Sequence, residues 1–113
     1  MRILVVDDNR DAADALAAFL RLEGHYVEVA YGGVSALTLA AAHQPHVILL
    51  DIAMPGLDGL QTARQLRALD GLGQVRIIAV SGFAYETGKD AAAGFESHLM
   101  KPVDTVRLSA ILK

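Results

Sequence analysis

Asp7, Asp8, Asp51, Ser81 and Lys101 are the residues of this chain whose types and placement could do chemistry together. Taken singly, each has an ordinary reading. An Asp after an apolar run caps a helix or makes a turn, Ser81 beside Gly82 turns the chain, and Lys101 before Pro102 projects into solvent. Taken together, they close four separate apolar runs, and that joint placement is hard to obtain from turns alone. Carboxylates gathered at one place repel one another, by roughly 4 kcal/mol for a pair about 4 Å apart at an effective dielectric near 20. A hard divalent cation removes that cost, and an all-oxygen ligand set favours Mg²⁺ or Mn²⁺. The chain has only three lysines, and one of them stands at a run end.

The elements that must position these groups follow from the pattern of apolar residues. Ile3 to Val6 is a continuous apolar run ending in Asp7-Asp8, and Val47 to Leu50 is another, ending in Asp51. Val75 to Val80 is rich in β-branched residues and ends in Ser81, while a shorter run at His98 to Met100 ends in Lys101. Tyr26 to Ala30 alternates instead, with Glu28 its only charge. Continuous runs imply strands buried on both faces, as in a parallel sheet, and the alternating run suits an edge. Between the runs lie helix candidates: Arg10 to Glu23, with Asn9 as cap and Gly24 as stop; Val34 to His43; Gly59 to Leu69; Tyr85 to Ala93; and Asp104 to Leu112. Five βα units in this order predict a doubly wound α/β fold, with helices on both faces of a parallel sheet. In such sheets the site lies outside the carboxyl ends of the strands, where the five polar residues fall.

Composition narrows the class. The chain has 113 residues, enough for one compact domain; 53% are hydrophobic and 20% charged, which is globular rather than disordered. Much of the apolar fraction is alanine, which lets helices lie close to a sheet. A net charge of −3 argues against direct nucleic-acid binding, which needs a basic face. No run is long enough to span a membrane, and the acidic N-terminal segment does not read as a signal peptide, so a cytoplasmic protein is expected. Absence of cysteine excludes disulfides and thiolate chemistry.

The order Asp7-Asp8, then Asp51-Ile52-Ala53-Met54-Pro55-Gly56-Leu57-Asp58-Gly59, then Ser81, then Lys101-Pro102, resembles the receiver domain of bacterial response regulators over essentially the whole chain. The resemblance implies a five-stranded, flavodoxin-like sheet of order 2-1-3-4-5, with residues 1–113 as one receiver. It implies that Asp51 is a phosphoacceptor nucleophile. Asp8 and Asp51 would ligate Mg²⁺ (or Mn²⁺) directly, Asp7 through water, and the backbone carbonyl of Ala53 would complete the protein ligands. Lys101 would pair with one phosphoryl oxygen and Ser81 with another. Phosphoryl transfer needs mainly positioning and charge neutralisation, and a metal, a lysine and a hydroxyl supply these. The peptide before Pro102 is expected to be cis. Phosphoryl would come from a sensor histidine kinase or a histidine phosphotransfer domain docking near the first helix. A partner or output domain would read the face formed by the 85–93 helix, the fifth strand and the last helix. Such a domain is no conventional enzyme, since it catalyses its own phosphorylation and dephosphorylation.

One position departs from the family. His98 stands three residues before Lys101, where an aromatic switch residue is usual. Receivers of hybrid sensor kinases often carry His there, and His98 to Asp104 resembles theirs. Two readings of His98 stay open, a switch residue or a solvated imidazole. Other functions compete. An aspartyl-phosphate phosphatase would place its acids as D-x-D with a cap domain, but here they are adjacent and 113 residues leave no cap. A flavodoxin-like electron carrier needs a phosphate-binding loop where Asp7-Asp8 would repel it. A degenerate receiver, binding partners without phosphorylation, would not need the full set of acids, hydroxyl and lysine.

Overall fold

The computed structural model describes residues 1–54, 59–82 and 94–113, with only the backbone of Leu60. Strands β1 (Arg2–Val6), β2 (Tyr26–Ala30), β3 (Val47–Asp51), β4 (Arg76–Ser81) and β5 (Ser97–Met100) form one sheet in the order β2-β1-β3-β4-β5. Every pairing is parallel. Helices α1 (Arg10–Leu22), α2 (Gly33–His43), α3 (Gly59–Arg67) and α4 (Thr105–Leu112) connect or flank the strands. The predicted doubly wound α/β sheet is present. The helix predicted over Tyr85 to Ala93 lies outside the described residues, as do Pro55, Gly56, Leu57 and Asp58 of the motif that follows Asp51.

Two apolar layers cover the sheet. On one face α1 and α4 set Ala13, Ala17, Leu20, Leu108 and Leu112 against Ile3, Val5, Leu49, Ile78, Val80 and Leu99. On the other, Ala36, Ala40, Ala63 and Leu66 of α2 and α3 lie on Leu4, Ile48, Leu50, Ile77 and Ala79. The alternation follows from the two-residue period of a strand. All five residues of β3 are buried, whereas β2 buries only Val27 and Ala30 and lies at an edge. Each fully buried Leu or Ile contributes about 1.5–3 kcal/mol. Alanines at the helix–sheet contacts bring the helices close, with Ala13, Ala17, Ala36 and Ala40 fully buried.

Helix ends follow local chemistry. The Asn9 side chain accepts from the Ala12 N–H, and Gly24 at φ +94° terminates α1. Asp104 caps α4 from outside, accepting from the N–H groups of Val106 and Arg107, so the helix starts one residue later than predicted. Helix α3 stops at Arg67 rather than Leu69. The next turn tightens, with Leu69 N–H reaching Leu66 O, and Gly71 follows at φ +85°. Strand β4 runs one residue further than predicted and includes Ser81, whose carbonyl accepts from the Lys101 N–H at 2.7 Å.

Candidate functional site

Strand order reverses between β1 and β3, since the chain moves from β1 to β2 on one side and to β3 on the other. That reversal opens a crevice at the carboxyl ends of the two strands. Asp51 is the last residue of β3, paired in register with Val80, and only 4% exposed. Its Oδ1 accepts from the Ala53 N–H at 2.9 Å, which fixes the plane of the carboxylate. Asp7 follows β1 and is also buried; its N–H continues the ladder to Ala30 O at 3.1 Å, and its Oδ1 accepts from the Asn9 N–H at 2.9 Å. Asp8 is exposed. One carboxylate oxygen from each of Asp7, Asp8 and Asp51 lies within 4.8 Å of the others.

Lys101 enters from the end of β5. Its Nζ lies 2.8 Å from Asp7 Oδ2 and 3.1 Å from Asp51 Oδ2, so one ammonium bridges both buried carboxylates. The Lys101–Pro102 peptide is cis, as expected. Burial pushes the Asp51 carboxyl above the usual carboxylate range; the Ala53 N–H and Lys101 pull it back and Asp7 adds to the rise. Burial pulls Lys101 down, but its bonds to Asp7 and Asp51 outweigh this and leave it raised. When all are ionised, three carboxylates face one ammonium, an excess of two negative charges. An all-oxygen cluster with that excess fits a hard divalent cation.

Ser81 stands at the same sheet edge, one residue beyond the partner of Asp51, and is fully buried. Its Oγ lies 2.8 Å from His98 Nε2. The imidazole is half-buried, so the reading of His98 as a solvated surface ring does not hold. Sequence spacing could not reveal this bond, because it depends on the β4–β5 register. A second pairing escaped the sequence because it depends on how α1 packs beside the end of β2. The Tyr31 hydroxyl, beyond β2, donates to Asp14 of α1 at 2.5 Å, and the Arg10 guanidinium lies 4.2 Å from the centre of the Tyr31 ring. The bond to Asp14 holds the Tyr31 phenol above its usual range. An apolar groove of about 500 Å³ opens beside the acids, between Leu16 and Phe19 of α1 and the Lys101-Pro102-Val103 turn.

Residues 3–113 match the family model of the response regulator receiver domain. The chain belongs to that family. It is 36% identical over 113 residues to the response regulator MprA of Mycobacterium avium, covering all of this chain and 50% of the relative. The receiver thus spans about half the length of the curated relatives it matches. Among solved structures, the receiver resembles the chemotaxis protein CheY4 of Vibrio cholerae, with a TM-score of 0.91 at 25% identity over 98% of this chain and 94% of the other. It also resembles the receiver domain of sensor histidine kinase PA1611 from Pseudomonas aeruginosa. That match has a TM-score of 0.85 at 32% identity and covers 98% and 93% of the two chains. The PA1611 structure holds a magnesium ion in its active-site cleft. Among the described residues no helix is long and apolar enough to cross a membrane.

Proposed function

We propose that this receiver takes a phosphoryl group onto Asp51 from the phosphohistidine of a sensor histidine kinase or a histidine phosphotransfer domain. The observation that carries this reading is the Lys101 ammonium bonded at once to Asp7 and Asp51. A cation 3.1 Å from the acceptor oxygen is in place to meet incoming phosphoryl oxygens, which is most of what phosphoryl transfer asks of a protein. A carboxylate oxygen of Asp51 attacks phosphorus, the P–N bond breaks, and its electron pair leaves on the donor imidazole. The Ala53 N–H holds the carboxylate plane during the approach. Ser81 donates to a second phosphoryl oxygen.

The site fits a divalent cation, Mg²⁺ or Mn²⁺. Asp8, Asp51 and the backbone carbonyl of Ala53 would hold it, with Asp7 reached through water. Bound there, it would neutralise charge on the carboxylates and the phosphoryl oxygens. Magnesium in the cleft of the PA1611 receiver supports this assignment. The groove between α1 and the Lys101–Val103 turn leads to Asp7 and Lys101, and an amphipathic donor helix would bury its apolar side chains in it. Exposed Met100 on β5 and the outer side of α4 belong to the face a partner or output domain would read. Residues 1–113 then act as one cytoplasmic receiver.

Acetyl phosphate tests this reading directly. Wild type should gain one phosphoryl group in Mg²⁺ and almost none in chelator, and Asp8→Ala should lose the Mg²⁺ dependence together with most of the rate. Equal rates for wild type in Mg²⁺ and in chelator would contradict the metal assignment.

A further inference from the structure

The Ser81–His98 bond has consequences that a phenylalanine ring at the same position could not produce. Parallel register sets Ala79 beside His98 and Ser81 beside Met100. Side chains two apart on a strand share a sheet face, so His98 lies on the face of both Ala79 and Ser81. Its ring reaches along that face to put Nε2 2.8 Å from the Ser81 hydroxyl. A hydroxyl has one proton to give and two lone pairs, and a neutral imidazole has one N–H and one bare nitrogen. Two polarities of this bond are therefore possible. In one, Ser81 spends its proton on Nε2. In the other, Nε2–H donates to Ser81, and the hydroxyl keeps its proton for a different acceptor.

A phosphoryl group on Asp51 offers only acceptor oxygens, so it selects the second polarity. We propose that His98 is a positioning residue for the phosphoryl group: its Nε2–H donates to Ser81 Oγ and directs the Ser81 proton toward the phosphoryl oxygen. Phosphorylation then fixes the imidazole as the Nε2–H tautomer. A ring that rests as the other tautomer takes a proton at Nε2 from solvent while Nδ1 returns one, and the charge is unchanged. His98 stays joined to Ser81 as the hydroxyl turns inward, so the strand end follows the site through a hydrogen bond rather than through ring packing. A phenylalanine here could fill space but could not donate. This inference rests on Asp51 being the phosphoacceptor and on Ser81 touching the phosphoryl group.

The test is two-bond proton–nitrogen correlation of the imidazoles in ¹⁵N-labelled protein, with and without Mg²⁺ and beryllofluoride as the phosphoryl mimic. The backbone amides of Asp51 and Lys101 are read in the same samples. With the mimic bound, His98 Nε2 should show the protonated, pyrrole-like shift and Nδ1 the unprotonated, pyridine-like shift. Ser81→Ala should remove that preference. His98→Gln, which keeps a donor, should hold the mimic nearly as well as wild type, and His98→Phe about fivefold less well, the worth of one hydrogen bond. If the Asp51 and Lys101 amides respond while His98 Nε2 shows the unprotonated, pyridine-like shift with the mimic bound, this inference is overturned and the acceptor assignment stands. If those amides do not respond, both are overturned.

Discussion

As the proposed phosphoacceptor, Asp51 carries opposing demands. It would have to be ionised to attack phosphorus, yet burial first of all, and Asp7 besides, push its carboxyl above the usual range despite the Ala53 N–H and Lys101. A carboxyl whose folded pKa lies above its unfolded value binds its proton more tightly in the folded state. Its contribution therefore opposes folding at neutral pH, and the penalty is relieved as pH falls through the folded value. Asp51→Asn carries no charge at any pH, so at pH 7 in chelator it should melt at a higher temperature than wild type, with the gap closing in acid. Mg²⁺ at about a hundred times its Kd should stabilise wild type by about 2.7 kcal/mol and leave Asp51→Asn much less affected. Thermal melts of both proteins over a pH series check this. A wild type equal to Asp51→Asn in chelator would mean that Lys101 already offsets the whole penalty.

At the scale of elements, Gly59 shows how the end of β3 and α3 fit. A Cβ there would lie 2.6 Å from Cβ and Cγ2 of Ile52, the residue after Asp51. Gly59→Ala should cost about 1–3 kcal/mol, the usual range for overpacking, and should slow phosphorylation because Ile52 must shift beside the acceptor; urea melts and acetyl phosphate kinetics measure the two effects. The central elements were legible in the sequence because burial on both faces leaves a continuous apolar run, as in Val47 to Leu50, and the polar residue closing each run then falls at the site edge. The cap Asn9 was legible because it acts within three residues. The end of α3 was not. The Arg67 side chain donates to Val75 O and Gly94 O, and so ties the helix end to segments distant in sequence. Arg76 is similar, pairing with Glu96 through two bonds of 2.6 Å and also reaching Ile111 O. The Ser81–His98 bond depended on the β4–β5 register, which no local pattern encodes.

Across the whole molecule the sheet divides labour. Its carboxyl edge holds the acids, the hydroxyl and the lysine, and in the proposed function the groove beside α1 would give a protein donor a way to that edge. Ala15 lines the groove and is exposed, so Ala15→Glu should leave the fold intact while placing a charge where apolar donor side chains would dock. Transfer from a phosphohistidine protein should slow on the order of tenfold, the effect of about 1.4 kcal/mol, whereas transfer from acetyl phosphate should be unchanged; equal slowing of both donors would place the effect in the site rather than in docking. The central claim is that one carboxylate, Asp51, receives the phosphoryl group. Intact mass after acetyl phosphate and Mg²⁺, for wild type and Asp51→Asn, tests it most directly. Wild type should gain a single phosphoryl group that survives acid and is lost in base, and Asp51→Asn should gain none. The same adduct formed at the same rate on Asp51→Asn would contradict the account.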